Sequence, residues 1–109
     1  MTSGVSLGVP HFDGTRIVVP VVGRIEREHA DDLDAALRPY LRPPEPLILD
    51  FSGVLGIDTY GVQKFLRLRI DYPRCPIILI NVPLNLWHHL STSSVAACKI
   101  QVEYQSEVA

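Results

Sequence analysis

The chain has 109 residues, 47% apolar and 20% charged, which is the composition of one small globular domain and not of a disordered or low-complexity chain. Ten Lys and Arg against 12 Asp and Glu give a net charge of -2 without a basic block, which argues against nucleic acid as a partner. The apolar runs fall well short of the roughly 18 residues of a membrane span, and no signal-peptide pattern is present. We therefore expect a single cytoplasmic domain over residues 1–109.

The first part of the chain is predicted to form a β-hairpin followed by an amphipathic helix. The arms are Val5 to Val9 and Arg16 to Gly23, and the turn is His11 to Thr15. Pro20 cannot donate to a ladder, so the second arm is either an edge strand or bulged at that point. Pro39 should kink or shorten the helix. The apolar helical positions, at spacings of three and four, are Ala30, Leu33, Leu37, Tyr40 and Leu41.

The rest of the chain alternates between strands and helices. Three further strands are expected at Leu47 to Phe51, Cys75 to Val82 and Ile100 to Tyr104. Between them lie a helix N-capped by Asp58 and a short helix that Pro83 opens and Ser91 to Ser94 closes. The order ββαβαβαβ predicts an α/β fold with a mixed, mostly parallel sheet flanked by helices.

Motifs of enzymes and metal sites are largely missing from the sequence. It has no phosphate-binding glycine loop, no Gly-x-Ser-x-Gly elbow and no His-Glu-x-x-His pair, so an enzyme is the least favoured class. His88 and His89 are adjacent on a predicted helix and point about 100 degrees apart, which makes them poor partners for one metal. Cys75 and Cys98 each precede a predicted parallel strand, so their sulfurs come close at one end of the sheet if those two strands are neighbours, but we expect both to be free thiols. No cofactor is predicted.

The segment Leu47 to Leu68 reads LILDFSGVLGIDTYGVQKFLRL. It resembles the core of the STAS domain, the fold of bacterial anti-sigma factor antagonists. In that family a buried strand is followed by Asp, a phosphorylatable Ser or Thr, a second small hydroxyl residue and Gly. Asp58, Thr59 and Gly61 match this pattern, whereas Tyr60 departs from it.

Upstream, Val22-Gly23-Arg24-Ile25-Glu26 is similar to the Gly-x-Leu-Asp turn of the same family, with Glu26 where the family places Asp. The resemblance implies a partner-binding surface and a phosphorylation site at Thr59. The residues it implies for partner binding are Glu26, Asp58, Thr59, Tyr60 and Gly61. It also implies the partner, an anti-sigma factor that is a serine-threonine kinase of the histidine-kinase-like ATPase type, with a phosphatase to reverse the modification.

Two other binding functions stay open from the sequence. In one alternative the domain is a regulatory subunit of a membrane transport assembly. In the other it is a STAS module that binds a partner without being phosphorylated. The position of Thr59 favours a modification site, because a hydroxyl in the first turn of a helix lies beside unpaired backbone N–H groups that accommodate a phosphate. The ring of Tyr60 is expected to face outward, since Ile57 and Val62 already supply the apolar positions around it.

Overall fold

The computed structural model describes residues 4–12, 16–42, 45–91 and 100–104, in which strands and helices alternate. The strands are β1 Val5–Leu7, β2 His11–Phe12, β3 Ile17–Ile25, β4 Leu47–Ile57, β5 Ile77–Val82 and β6 Gln101–Tyr104. The helices are α1 Arg27–Leu37, α2 Thr59–Asp71 and α3 Leu84–Ser91, and a 3-10 turn Arg38–Tyr40 follows α1. Within this described part of the chain, no helix is both long and apolar enough to cross a membrane.

All six strands belong to one sheet in the order β1-β3-β4-β5-β6, with β2 also paired to β3. Strands β1 and β2 run antiparallel to β3, and the ladders from β3 through β6 are parallel. The predicted α/β class and the mixed, mostly parallel sheet are confirmed. The prediction of a turn at His11 to Thr15 was wrong for its first two residues, because His11 and Phe12 pair with β3 as β2. The residues predicted at the tip, 13–15, lie outside the described residues.

Pro20 lies in the interior of the sheet, so the prediction of an edge strand was wrong and that of a bulge was right. Strand β3 has neighbours on both sides, and the carbonyl of Pro20 accepts a hydrogen bond from the N–H of Gly8 at 2.9 Å. Against β4 the register shifts between Pro20 and Val22, where two steps along β3 face three steps along β4. On the side of Gly8, Pro20 lies opposite the break between β1 and β2, where the ladder needs no N–H donor from it.

Strand β4 extends six residues beyond its predicted end at Phe51. The sequence Ser52-Gly53-Val54-Leu55-Gly56-Ile57 resembles a loop because Ser and Gly are poor strand formers. Parallel pairing with β3 continues to Ile57 and holds this segment extended. The extension places the start of the next helix level with the end of β3.

The core lies between the sheet and the helices α1 and α2. Leu33 and Leu37 of α1 and Phe65 and Leu68 of α2 are buried with Phe51 in one apolar cluster. The rings of Phe51 and Phe65 lie 5.8 Å apart between centroids. Burying a large apolar side chain contributes about 1.5–3 kcal/mol, so this cluster fixes both helices against the sheet.

The carboxyl ends of α1 and α2 are joined by one arginine. Arg38 donates to Asp34 at 3.0 Å and to Asp71, the last residue of α2, at 3.0 Å. The α-helix ends at Leu37, before Pro39, which agrees with the prediction that this proline shortens it. The two helices therefore run parallel, and their ends are held together at this side of the sheet.

Candidate docking site at two helix N-termini

Strands β3 and β4 end side by side, and each leads directly into a helix. Ile25 pairs with Ile57 in the parallel ladder. The residues that follow, Glu26 and Asp58, have extended backbone and are the N-caps of α1 and α2. Two helix N-termini, each with unpaired N–H groups and a positive dipole end, therefore lie next to each other.

The carboxylate of Asp58 serves both helices. Its Oδ1 accepts the N–H of Gly61 at 2.9 Å, and its Oδ2 accepts the N–H of Arg27 at 2.9 Å. The backbone N–H of Asp58 also donates to the carbonyl of Ile25 at 3.1 Å. The predicted N-cap on α2 is confirmed, and the same side chain in addition caps α1.

Gly61 allows α2 to begin this close to β3. A Cβ at this position would lie 2.7 Å from the carbonyl oxygen of Ile25 and 2.8 Å from Cγ1 of Ile57. Real Cβ atoms do not approach other atoms so closely, so the glycine is required by packing. Gly61 is buried, and its predicted contact with a partner stays a prediction.

Thr59 and Tyr60 stand on the outer side of this helix start. Thr59 is the first residue of α2 and is exposed. Tyr60 is 46% exposed, which confirms the outward orientation expected for its ring. The guanidinium of Arg27 lies 4.9 Å from the centroid of that ring. Such a cation–π contact at an exposed site contributes about 0.5–1 kcal/mol and holds the two side chains together.

Glu26 lies at the rim of the site. Its side chain makes no capping hydrogen bond, and its carboxylate is 3.8 Å from the guanidinium of Arg24, with both side chains about half exposed. The cap on α1 is supplied by Asp58, so Glu26 is free to point away from its own helix. An exposed pair of this kind contributes little to stability, which leaves its charges available to solvent or to a partner.

Arg27 is the residue of this site that the sequence analysis missed. Its N–H is bound by Asp58 and its guanidinium covers the ring of Tyr60. Nothing in the local pattern marks it, because its contacts depend on which strands pair and in which register. Its position at the start of the helix after β3 becomes informative only once the pairing of β3 with β4 is known.

The other chemically notable side chains lie elsewhere. Cys75 is a buried free thiol whose sulfur is 3.1 Å from the carbonyl oxygen of Glu45, and burial raises its pKa. Cys98 and the side chains of His88 and His89 lie outside what the structure describes. In the described part of the chain, no three His, Cys, Asp or Glu side chains come together as metal ligands.

Comparison with known proteins identifies the domain. The family model described as "Mlab, STAS domain" matches residues 10–96, which include both helix N-termini. The chain belongs to the STAS domain family. This confirms the resemblance that the sequence carries, and places Asp58, Thr59 and Gly61 within the matched part. No curated protein sequence matches the chain.

Two of the solved structures that match the chain show the fold of this STAS domain. The murine Solute Carrier 26 family member A9 anion transporter, in its inward-facing state, matches 94% of the chain with a TM-score of 0.70 and 15% identity. The chain spans only 21% of the length of that transporter. The second structure is an uncharacterized protein of the DUF3478 family with a SpoIIAA-like fold, from Shewanella loihica. The match covers 96% of this chain and 89% of that protein, with a TM-score of 0.51 and 19% identity. At these identities the likeness concerns the fold.

Proposed function

We propose that this STAS domain is a cytoplasmic anti-sigma factor antagonist that phosphorylation at Thr59 switches off. In this function the unmodified domain binds an anti-sigma factor kinase of the histidine-kinase-like ATPase type. The kinase then transfers a phosphoryl group from ATP to the Thr59 hydroxyl, and a phosphatase removes it. The domain is thus a substrate and a binding partner, with no catalytic role of its own.

The observation that carries the proposal is the exposure of Thr59 at the start of α2, beside Asp58. A phosphate there gains about 1 kcal/mol from the helix dipole and loses a similar amount to Asp58 in water-exposed surroundings. Both oxygens of Asp58 already accept backbone N–H groups, and these hydrogen bonds stabilise its negative charge beside the new one. The fold should therefore tolerate the modification.

A docked partner would not tolerate it. Phosphorylation adds a charge of about -1.5 to -2, and a partner that has displaced water from this helix end meets it without compensation. Burying a charge unpaired, or against a like charge, costs several kcal/mol. This difference between the free and the docked domain is what makes Thr59 a switch for binding.

Phosphate mapping tests the proposal. The domain and its Thr59→Val variant are incubated with ATP and candidate kinases encoded near its gene, and modified peptides are identified by mass spectrometry. Phosphate at Thr59, absent from the variant, is the expected result. A phosphopeptide that carries the group at Ser52 or within Ser91 to Ser94 instead would contradict it.

Thr59→Glu provides a second test that needs no kinase reaction. We expect the affinity for the partner to fall at least tenfold, roughly 1.4 kcal/mol, because the variant places a negative charge at the helix start. The melting temperature should be nearly unchanged, since the fold tolerates that charge. Equal binding of the variant and the native chain by calorimetry would argue against the switch.

A second candidate is a regulatory subunit of a membrane transport assembly. It is supported by Tyr60, which replaces the small hydroxyl residue of the antagonist pattern, and by the presence of this fold within the chain of an anion transporter. Transporter genes beside this gene, with no ATPase of the histidine-kinase type, would favour this candidate. In that case Thr59 would remain unmodified by such kinases while Tyr60 still contributed to binding.

A further inference from the structure

Helices α1 and α2 are separated at their outer side by an open groove of about 550 Å³ that begins at the docking site. We call it the α1–α2 groove. Arg27 and Asp31 line it from α1, and Tyr60, Lys64, Arg67 and Ile70 line it from α2. The groove therefore continues the surface that holds Thr59 and Tyr60 along α2 and the first part of α1.

The charge of the groove is opposite to that of the chain. Three cationic side chains line it, namely Arg27, Lys64 and Arg67, against the single carboxylate of Asp31. Lys64 forms an ion pair with Asp31, which leaves the two arginines as the excess charge. A domain with a net charge of -2 thus presents a positive groove between its first two helices. Such a local field attracts and orients an acidic partner.

The ends of the groove are apolar. Tyr60 at one end is 46% exposed, and Ile70 near the other end is 63% exposed. Large apolar side chains at both ends of a row of cations are complementary to a ligand that carries both acidic and apolar groups. A free nucleotide or a simple polyanion would leave these apolar surfaces in water, so the pattern favours a peptide segment.

We infer that the α1–α2 groove binds an acidic, amphipathic segment of the partner protein. This inference rests on the proposed function and names the kind of partner surface that the site accepts. Arg27 and Tyr60 belong both to the groove and to the surroundings of Thr59. A phosphate on Thr59 would repel the acidic segment and compete with it for Arg27. The charge of the groove therefore explains why an added negative charge releases the partner.

The test uses a 16-residue helical peptide of Glu and Leu at spacings of three and four, and a counterpart with Lys in place of every Glu. Each is added to the labelled full chain while backbone amide signals are recorded by NMR. The acidic peptide should shift the signals of Lys64, Arg67 and Ile70 and bind less tightly as salt increases. Equal binding of the lysine peptide, or shifts confined to other parts of the chain, would overturn the inference.

Three variants locate the interaction. Arg67→Glu should weaken the acidic peptide at least tenfold, whereas Arg74→Glu, the same charge change at an exposed residue beyond the end of α2, should leave affinity within twofold. Asp31→Asn removes the carboxylate and should raise the affinity about threefold. Native-like amide spectra establish that each variant is folded. An Arg67→Glu chain that is folded and binds as well as the native one would overturn the inference.

The same variants separate this inference from the proposed function. If a kinase partner binds and is released on phosphorylation of Thr59, but Arg67→Glu does not weaken that binding, the groove inference fails and the switch stands. If the acidic peptide binds in the groove while no kinase modifies Thr59, the switch fails and the inference stands.

Discussion

Replacing Asp58 by Asn tests the shared cap of the two helices. Asn is ordinarily as good an N-cap as Asp, so a residue that capped α2 alone would tolerate the change. Here each oxygen of Asp58 accepts a different N–H, that of Gly61 and that of Arg27. Asn has one acceptor oxygen, and its amide NH₂ would face the second N–H. One of the two helix starts must therefore lose its cap.

The size of the effect follows from the bonds. A hydrogen bond to a charged group contributes about 1.5–3 kcal/mol, and the bond from Arg27 is solvent-exposed, which places it at the lower end. We expect Asp58→Asn to lower the free energy of unfolding by about 1.5 kcal/mol and Asp58→Ala by about 3 kcal/mol. These are large fractions of the roughly 5–15 kcal/mol that stabilise a domain.

Urea denaturation of the native chain and the variants measures these differences. Asp32→Asn is the matched control, because it removes one exposed carboxylate from α1 without removing a helix cap. The control should lie within about 0.5 kcal/mol of the native chain, as surface substitutions usually do. An Asp58→Asn variant that is as stable as this control would refute the shared cap.

Three further predictions follow from the same structure. In an ordinary helix interior, Gly→Ala raises the free energy of unfolding by about 1 kcal/mol. Gly61→Ala should instead lower it by about 1–3 kcal/mol, because the new Cβ meets Ile25. Thermal unfolding measures this, and an unchanged or higher melting temperature would contradict the close packing. Tyr60→Ala should lower partner affinity by about 2 kcal/mol in calorimetry with little change in stability, since its ring is exposed; a large drop in melting temperature at unchanged affinity would mean that the ring is part of the core. Cys75 should react with a thiol reagent far more slowly in the native chain than in urea, because burial raises the pKa of its thiol; equal rates at pH 8 would show that the thiol is accessible.

The periodic parts of the sequence predicted the fold well. Apolar spacing located α1, and the identity of Asp58 located the start of α2. The end of β4 was predicted six residues early because Ser and Gly suggest a loop, whereas pairing with β3 keeps them extended. Local propensity could not reveal this, since the deciding hydrogen bonds come from a strand more than 20 residues away.

The candidate site was predictable only in part for the same reason. The family pattern and helix capping indicated Asp58 and Thr59, which depend on neighbouring residues in the sequence. The contacts of Arg27 with Asp58 and Tyr60 depend on the alignment of Ile25 with Ile57. The α1–α2 groove likewise arises when two distant helices are laid side by side, so its charge pattern is not visible in either helix alone.

The attachment of α1 to α2 at both ends has a consequence for how binding energy is distributed. Asp58 joins the helices at their starts, and Arg38 joins them to Asp71 at their ends. A surface held in this way needs little rearrangement when it binds, so the loss of conformational entropy falls mainly on the partner. A partner segment that is unstructured when free would order itself on a template that is already formed. Substitutions in such a segment should then act mainly on the lifetime of the complex and little on the rate of encounter.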